Sequence, residues 1–128
     1  MKNGEKMTSF KDPKTGKTWA ITSNLNCQSK NVIYVVACVK CPMWGPYGGE
    51  TEREFCQRLT EHRGAVTRKE NTAVGRHFNQ KGHSIKDMRA FAIEQIKSDN
   101  PRIRKRREQL WIYRLDSIAS GANIREQN

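Results

Sequence analysis

Between Asn31 and Lys40 the chain runs Val32-Ile33-Tyr34-Val35-Val36-Ala37-Cys38-Val39, an uninterrupted apolar stretch rich in β-branched residues. Such side chains lose rotamer freedom in a helix and pack well on a pleat, and the run is only about two helical turns long. It is therefore expected to be a buried strand. The segment that follows, KCPMWGP, holds two Pro and one Gly and must turn. Tyr47 to Glu50 then form a second short strand, antiparallel to the first.

The rest of the chain supplies cover for that hairpin. Residues 1 to 16 read as a flexible basic lead-in, and 17 to 22 (KTWAIT) as a short strand. Thr51-x-x-Glu54 matches a capping box, so a helix is expected from Thr51 onward, with Phe55, Leu59 and Val66 on one face. Arg58 and His62 share that apolar face. Asn71 or Thr72 can cap a second short helix, AVGRHFN, which ends before the Lys81-Gly82 turn. Residues 88 to 96 (MRAFAIEQI) read as a third strand. Pro101, tolerated in a first helical turn, opens a helix over about 101 to 117. Its buried stripe of Trp111, Ile112 and Leu115 includes a carboxylate, Glu108.

Charge narrows the partner. Lys plus Arg number 24 against 13 Asp plus Glu, a formal net charge of +11, which points to a polyanion. No apolar run approaches the roughly 20 residues needed to cross a bilayer, so no membrane association is expected. The opening residues lack a secretory pattern, and the four Cys are expected as thiols or metal ligands in a reducing compartment. Ten aromatic residues in periodic segments argue for a folded core despite a mean hydropathy of −0.88.

Arg58, His62 and Glu108 thus lie on helix faces that the hydrophobic period directs inward. An ion pair between Arg58 and Glu108, with His62 satisfying a backbone group, would account for them; converging buried charges are otherwise the mark of a site. The order Val32-Ile33-Tyr34, Tyr47-Gly48-Gly49-Glu50-Thr51, Arg58, His62, Glu108 in REQLWIYRL and Asn123 resembles the GIY-YIG nuclease superfamily over roughly residues 27 to 125. Within it, the strand NVIYVVAC, the inserted CxxC, YGGET, the HF-to-GHS segment and REQLWI are most similar to the endonuclease domain of Penelope-like retroelements. Two positions depart: Val32 stands where the name-giving motif has Gly, and Gly48 where the second motif has a β-branched residue. Neither removes a group used for chemistry.

The resemblance implies a mixed α/β (α+β) fold over 17 to 128, a central three-stranded, largely antiparallel sheet flanked by helices with a zinc-bound insertion. It also implies metal-dependent nicking of DNA that exposes a 3′ hydroxyl for priming, in a nuclear setting and beside a reverse transcriptase module that this chain lacks. Glu108 would bind Mg2+ or Mn2+, Arg58 would neutralise the scissile phosphate, and Asn123 would support the site by hydrogen bonding. Either Tyr34 or His62, assisted by Tyr47, would deprotonate the attacking water. The alternative is a zinc-stabilised nucleic-acid-binding module without catalysis.

Two further features stand beside this site. Cys38-x2-Cys41 and His77-x5-His83 offer two thiolates and two imidazoles, enough for a tetrahedral structural Zn2+, and an equivalent CCHH cluster is expected in Penelope-like domains. Cys27 is a rival ligand, while Cys56 reads as a core or flank residue. The basic cluster Arg102, Arg104, Lys105, Arg106 and Arg107, just before Glu108, is expected to track phosphates, with Arg63, Arg68, Lys69 and Arg76 extending it.

Overall fold

All seven residues of β3 (Val32–Cys38) are buried, the outcome its unbroken apolar run requires. The computed structural model describes residues 7–11, 18–41 and 46–115. β3 is the middle strand of a sheet ordered β4-β3-β5, antiparallel throughout, with β4 (Tyr47–Thr51) on one side and β5 (Met88–Gln95) on the other. Because successive side chains alternate, β3 divides between two cores. Val32, Tyr34, Val36 and Cys38 pack with Phe55, Leu59, Val66, Val74 and Phe78 on one face. Ile33, Val35 and Ala37 pack with Ile93, Ile96, Trp111 and Leu115 on the other.

Helices α1 (Phe55–Thr67) and α2 (Ala73–Phe78) therefore cover the first face, and α3 (Pro101–Leu115) the second. Two charged ties fix α3 to the outer strands. Arg104 Nε reaches Glu50 on β4 at 2.5 Å. On β5, one oxygen of Glu94 accepts from Arg107 Nη2 at 2.9 Å and Trp111 Nε1 at 2.8 Å. The three-stranded antiparallel sheet flanked by helices is the architecture expected from the sequence.

Several local expectations are corrected. Residues 7–11, within the presumed lead-in, form β1 (Met7–Lys11), which pairs antiparallel with β2 (Thr18–Leu25), a strand longer than the 17 to 22 segment. A five-residue strand carries little periodicity of its own, and the pairing that stabilises it is absent from local sequence. The capping box at Thr51 does not form: Thr51 closes β4, and α1 begins at Phe55 after Glu54, which makes no side-chain cap. The first-turn donors are met from elsewhere, Phe55 N–H by Ser29 O at 2.9 Å and Cys56 N–H by Cys27 O at 3.1 Å. Tertiary backbone acceptors have replaced a local cap.

The same junction carries a Cys27–Cys56 disulfide, against the expectation that all four Cys are thiols or metal ligands. Cys27 is thereby removed as a rival zinc ligand. At α2 the expectation holds, with Thr72 Oγ1 accepting from Gly75 N–H at 3.0 Å. Among the described residues no helix is long and apolar enough to cross a membrane.

Candidate active site

Tyr34 sits mid-β3 and faces α1, where Arg58 and His62 lie one turn apart. Arg58 Nε–H donates to the Tyr34 hydroxyl oxygen at 3.1 Å, and that oxygen lies 2.7 Å from His62 Nε2. With the guanidinium occupying an acceptor position on the phenol, the phenolic proton is left to be donated to His62. The polarity of the chain is Arg58 to Tyr34 to His62. Tyr47, opening β4, closes the other side of His62, the rings meeting edge-on with centroids 5.6 Å apart.

The close approach of Tyr34 to β4 depends on one glycine. Gly49 pairs with Tyr34 in the ladder, and a Cβ at that position would run into the end of the Tyr34 ring. The second-motif residue that cannot be replaced is thus Gly49.

Burial sets the resting protonation. It pushes His62 down to about 4, with the Arg58 charge adding to the effect, so the imidazole is neutral and able to accept. Burial likewise raises the Tyr34 hydroxyl well above its ordinary 10, Arg58 opposing it, and Tyr47 moves in the same direction. Glu108 on α3 is 9% exposed; burial raises its carboxyl, and the charge of Glu50 adds to this while Lys105 and Arg58 oppose it. The Glu108 charge in turn acts on Tyr34 and Tyr47.

The carboxylate that Arg58 reaches is Glu61, at 2.9 Å, and among the described residues no cation lies at ion-pair distance from Glu108. A buried carboxylate with no ion-pair partner among the described residues is a hard oxygen donor of the kind that fits a divalent metal. Asn123 lies outside the described residues.

The cysteine–histidine expectation maps onto the far end of β3. The ligand atoms of Cys38, His77 on α2 and His83 lie within 4.8 Å of one another, and the buried Nε2 of His83 makes no hydrogen bond. Burial, helped by His83, pushes His77 down to about 4, leaving it neutral as a ligand must be. This donor set fits a soft or borderline cation. Cys41 is partly buried against the same core, its N–H directed to Cys38 O at 3.5 Å, and is not in the three-residue cluster.

The five cations at 102 to 107 separate by role. Arg104 is buried, bonded to Glu50 and, through Nη1 at 3.2 Å, to Asn31. Arg107 is held by Glu94. Lys105 lies 3.3 Å from Glu50 with its side chain 63% exposed, and Arg102 and Arg106 are exposed. The parts that Glu50 and Asn31 play escaped the sequence reading. Arg104, by contrast, had a signal: it stands one turn before Glu108, on the same stripe as Trp111, Ile112 and Leu115.

The strand order β4-β3-β5, with Tyr34 and Tyr47 on adjacent strands, Arg58 and His62 on the next helix and Glu108 on the last, defines a small mixed α/β fold. Among solved structures the chain is similar to the catalytic domain of the homing endonuclease I-TevI, with a TM-score of 0.61 and 23% identity, covering 74% of this chain and 98% of that one. At that identity the likeness establishes the fold. No protein-family model and no curated protein matches the sequence.

Proposed function

We propose that this chain is a divalent-metal-dependent endonuclease domain that nicks DNA, of the Penelope-like kind, acting in the nucleus where its nick gives a linked reverse transcriptase a 3′ hydroxyl. The observation that carries the reading is the directed chain Arg58–Tyr34–His62 with a buried, ion-pair-free carboxylate, Glu108, close enough for its charge to act on Tyr34.

Phosphodiester hydrolysis needs a deprotonated water and positive charge around the phosphate. A cation held by Glu108 would supply charge against the phosphoryl oxygens and the departing 3′ oxygen. Arg58 presents its guanidinium to the same phosphate. Tyr34 takes the water proton on its oxygen as its own proton passes to His62 Nε2, so one shift moves charge away from the nucleophile. In the free protein both groups rest neutral; a phosphate at Arg58 offsets the charge that helps depress His62 and makes its protonation easier.

Supercoiled plasmid with Mg2+ tests this. The wild-type chain should yield nicked circles, and Glu108→Gln, close in volume and helix propensity, should keep fold and DNA affinity while nicking falls by orders of magnitude. A folded Glu108→Gln chain that nicks at the wild-type rate removes the metal carboxylate from the reaction. A wild-type chain that binds DNA but never nicks supports the non-catalytic module instead.

We also infer that Cys38, His77 and His83, completed by Cys41, hold a structural Zn2+ that joins the end of β3 to α2. Purified protein should carry about one zinc per chain and melt lower after chelation. Absence of zinc with chelator-indifferent melting overturns this part alone.

A further inference from the structure

One helical turn before Glu108, Arg104 ties α3 to the sheet. Arg104 is 6% exposed and its guanidinium spans two acceptors: Nε bonds Glu50 on β4 at 2.5 Å, and Nη1 bonds Asn31 Oδ1 at 3.2 Å. Asn31 stands at the entry to β3 with φ of +55°, a left-handed conformation that favours Asn or Gly. Its carbonyl accepts from Ile96 N–H at 2.7 Å and its Nδ2 donates to Asp99 at 3.1 Å, so the same residue fixes the exit of β5 and the approach to α3. Glu50 pairs with Ile33 in the ladder and so shares the face on which α3 lies, while its neighbours Gly49 and Thr51 belong to the Tyr34 face.

We propose that Asn31, Arg104 and Glu50 are positioning residues that set the Glu108 carboxylate against Tyr34 and Arg58, and thereby fix metal affinity and turnover. The proposal rests on the nuclease reading of Glu108. A buried ion pair used only for packing could be exchanged for apolar residues at little cost, and a point charge would serve it as well as a fork. This one is built on a planar group whose two bonds run to β4 and to the residue that precedes β3. Lys at 104 would keep the charge and lose the span. The partner Glu50 is held in its ionised form, its carboxyl below the ordinary range through Arg104 and Lys105 against the opposing effect of burial.

The experiment compares wild type, Arg104→Lys, Asn31→Gly and Glu108→Gln. Asn31→Gly keeps the positive φ accessible and deletes only the side-chain bonds, so the proposal stays testable should Arg104→Lys fail to fold. The readouts are thermal melting, kcat and KM for plasmid nicking, and Mn2+ binding to the DNA-free chain by electron paramagnetic resonance.

Removing a group that orients a metal ligand typically costs about 10–100-fold in affinity or activity. Arg104→Lys and Asn31→Gly, folded, should therefore lose about tenfold or more in kcat and Mn2+ affinity with KM for DNA unchanged. Folded variants with wild-type kcat and Mn2+ affinity, beside an inactive Glu108→Gln, overturn the positioning role and leave the nuclease reading standing. Wild-type nicking by Glu108→Gln, or no nicking by any chain, overturns both.

Discussion

His62 shows how burial at a single residue couples the site to pH. Its ordinary value of 6.5 falls to about 4 in the folded chain, chiefly through burial and secondarily through Arg58. Between those values the unfolded chain binds a proton that the folded chain does not. Stability contributed by the neutral imidazole is therefore fully present above about pH 6.5 and drains away as pH falls toward 4. The difference corresponds to about 3 kcal/mol. Urea melts at pH 7 and pH 4.5 should differ by less in His62→Gln than in wild type by roughly this amount. A His62 ring resonance titrating near 6.5 in the folded protein would sink the claim.

At the scale of elements, the Cys27–Cys56 bond closes a separation of 29 residues and ties the segment before β3 to the first turn of α1, two residues ahead of Arg58. Loop closure of that length is worth about 3–4 kcal/mol in the chain-entropy picture. Oxidised and reduced protein should differ by this much in denaturant melts, and Cys27→Ser with Cys56→Ser should erase the difference. Identical melts with and without reductant would show that the bond does not constrain the chain in solution. The bond and the missing capping box share one cause, contact between residues far apart in sequence. β3 and α3 were legible because period and β-branching are local: Val32 to Cys38 and the stripe at 108, 111, 112 and 115 declare themselves. Tyr34, Arg58, His62 and Glu108 were legible through motif order. Arg104 was visible on the buried stripe but was merged with its exposed neighbours, and nothing near Asn31 in sequence announces that it will clamp β5 and α3.

For the whole molecule, the net charge of +11 must be apportioned between structure and partner. Arg104 and Arg107 are committed to Glu50 and Glu94, whereas Arg102 and Arg106 are exposed on α3. Each phosphate neutralised contributes about 0.9 to the slope of log affinity against log salt. Arg102→Ala with Arg106→Ala should flatten that slope by roughly two units on any DNA sequence. Arg107→Ala should leave it unchanged and lower the melting temperature instead. An unchanged slope in the double variant, measured by fluorescence anisotropy, would move the DNA off this face.

The carboxylate on α3 is also the last of the described site groups to leave the ribosome, 74 positions after Tyr34, and α3 packs on a face of the sheet that the earlier helices do not cover. On the nuclease reading, a nascent chain holds its phosphate-binding arginine and its proton relay long before it owns a cutting centre. Synthesis of a DNA-damaging activity is thus gated by completion of the domain: a product terminated before α3 lacks the metal carboxylate, the exposed Arg102 and Arg106, and the Trp111 and Leu115 cover of the second core.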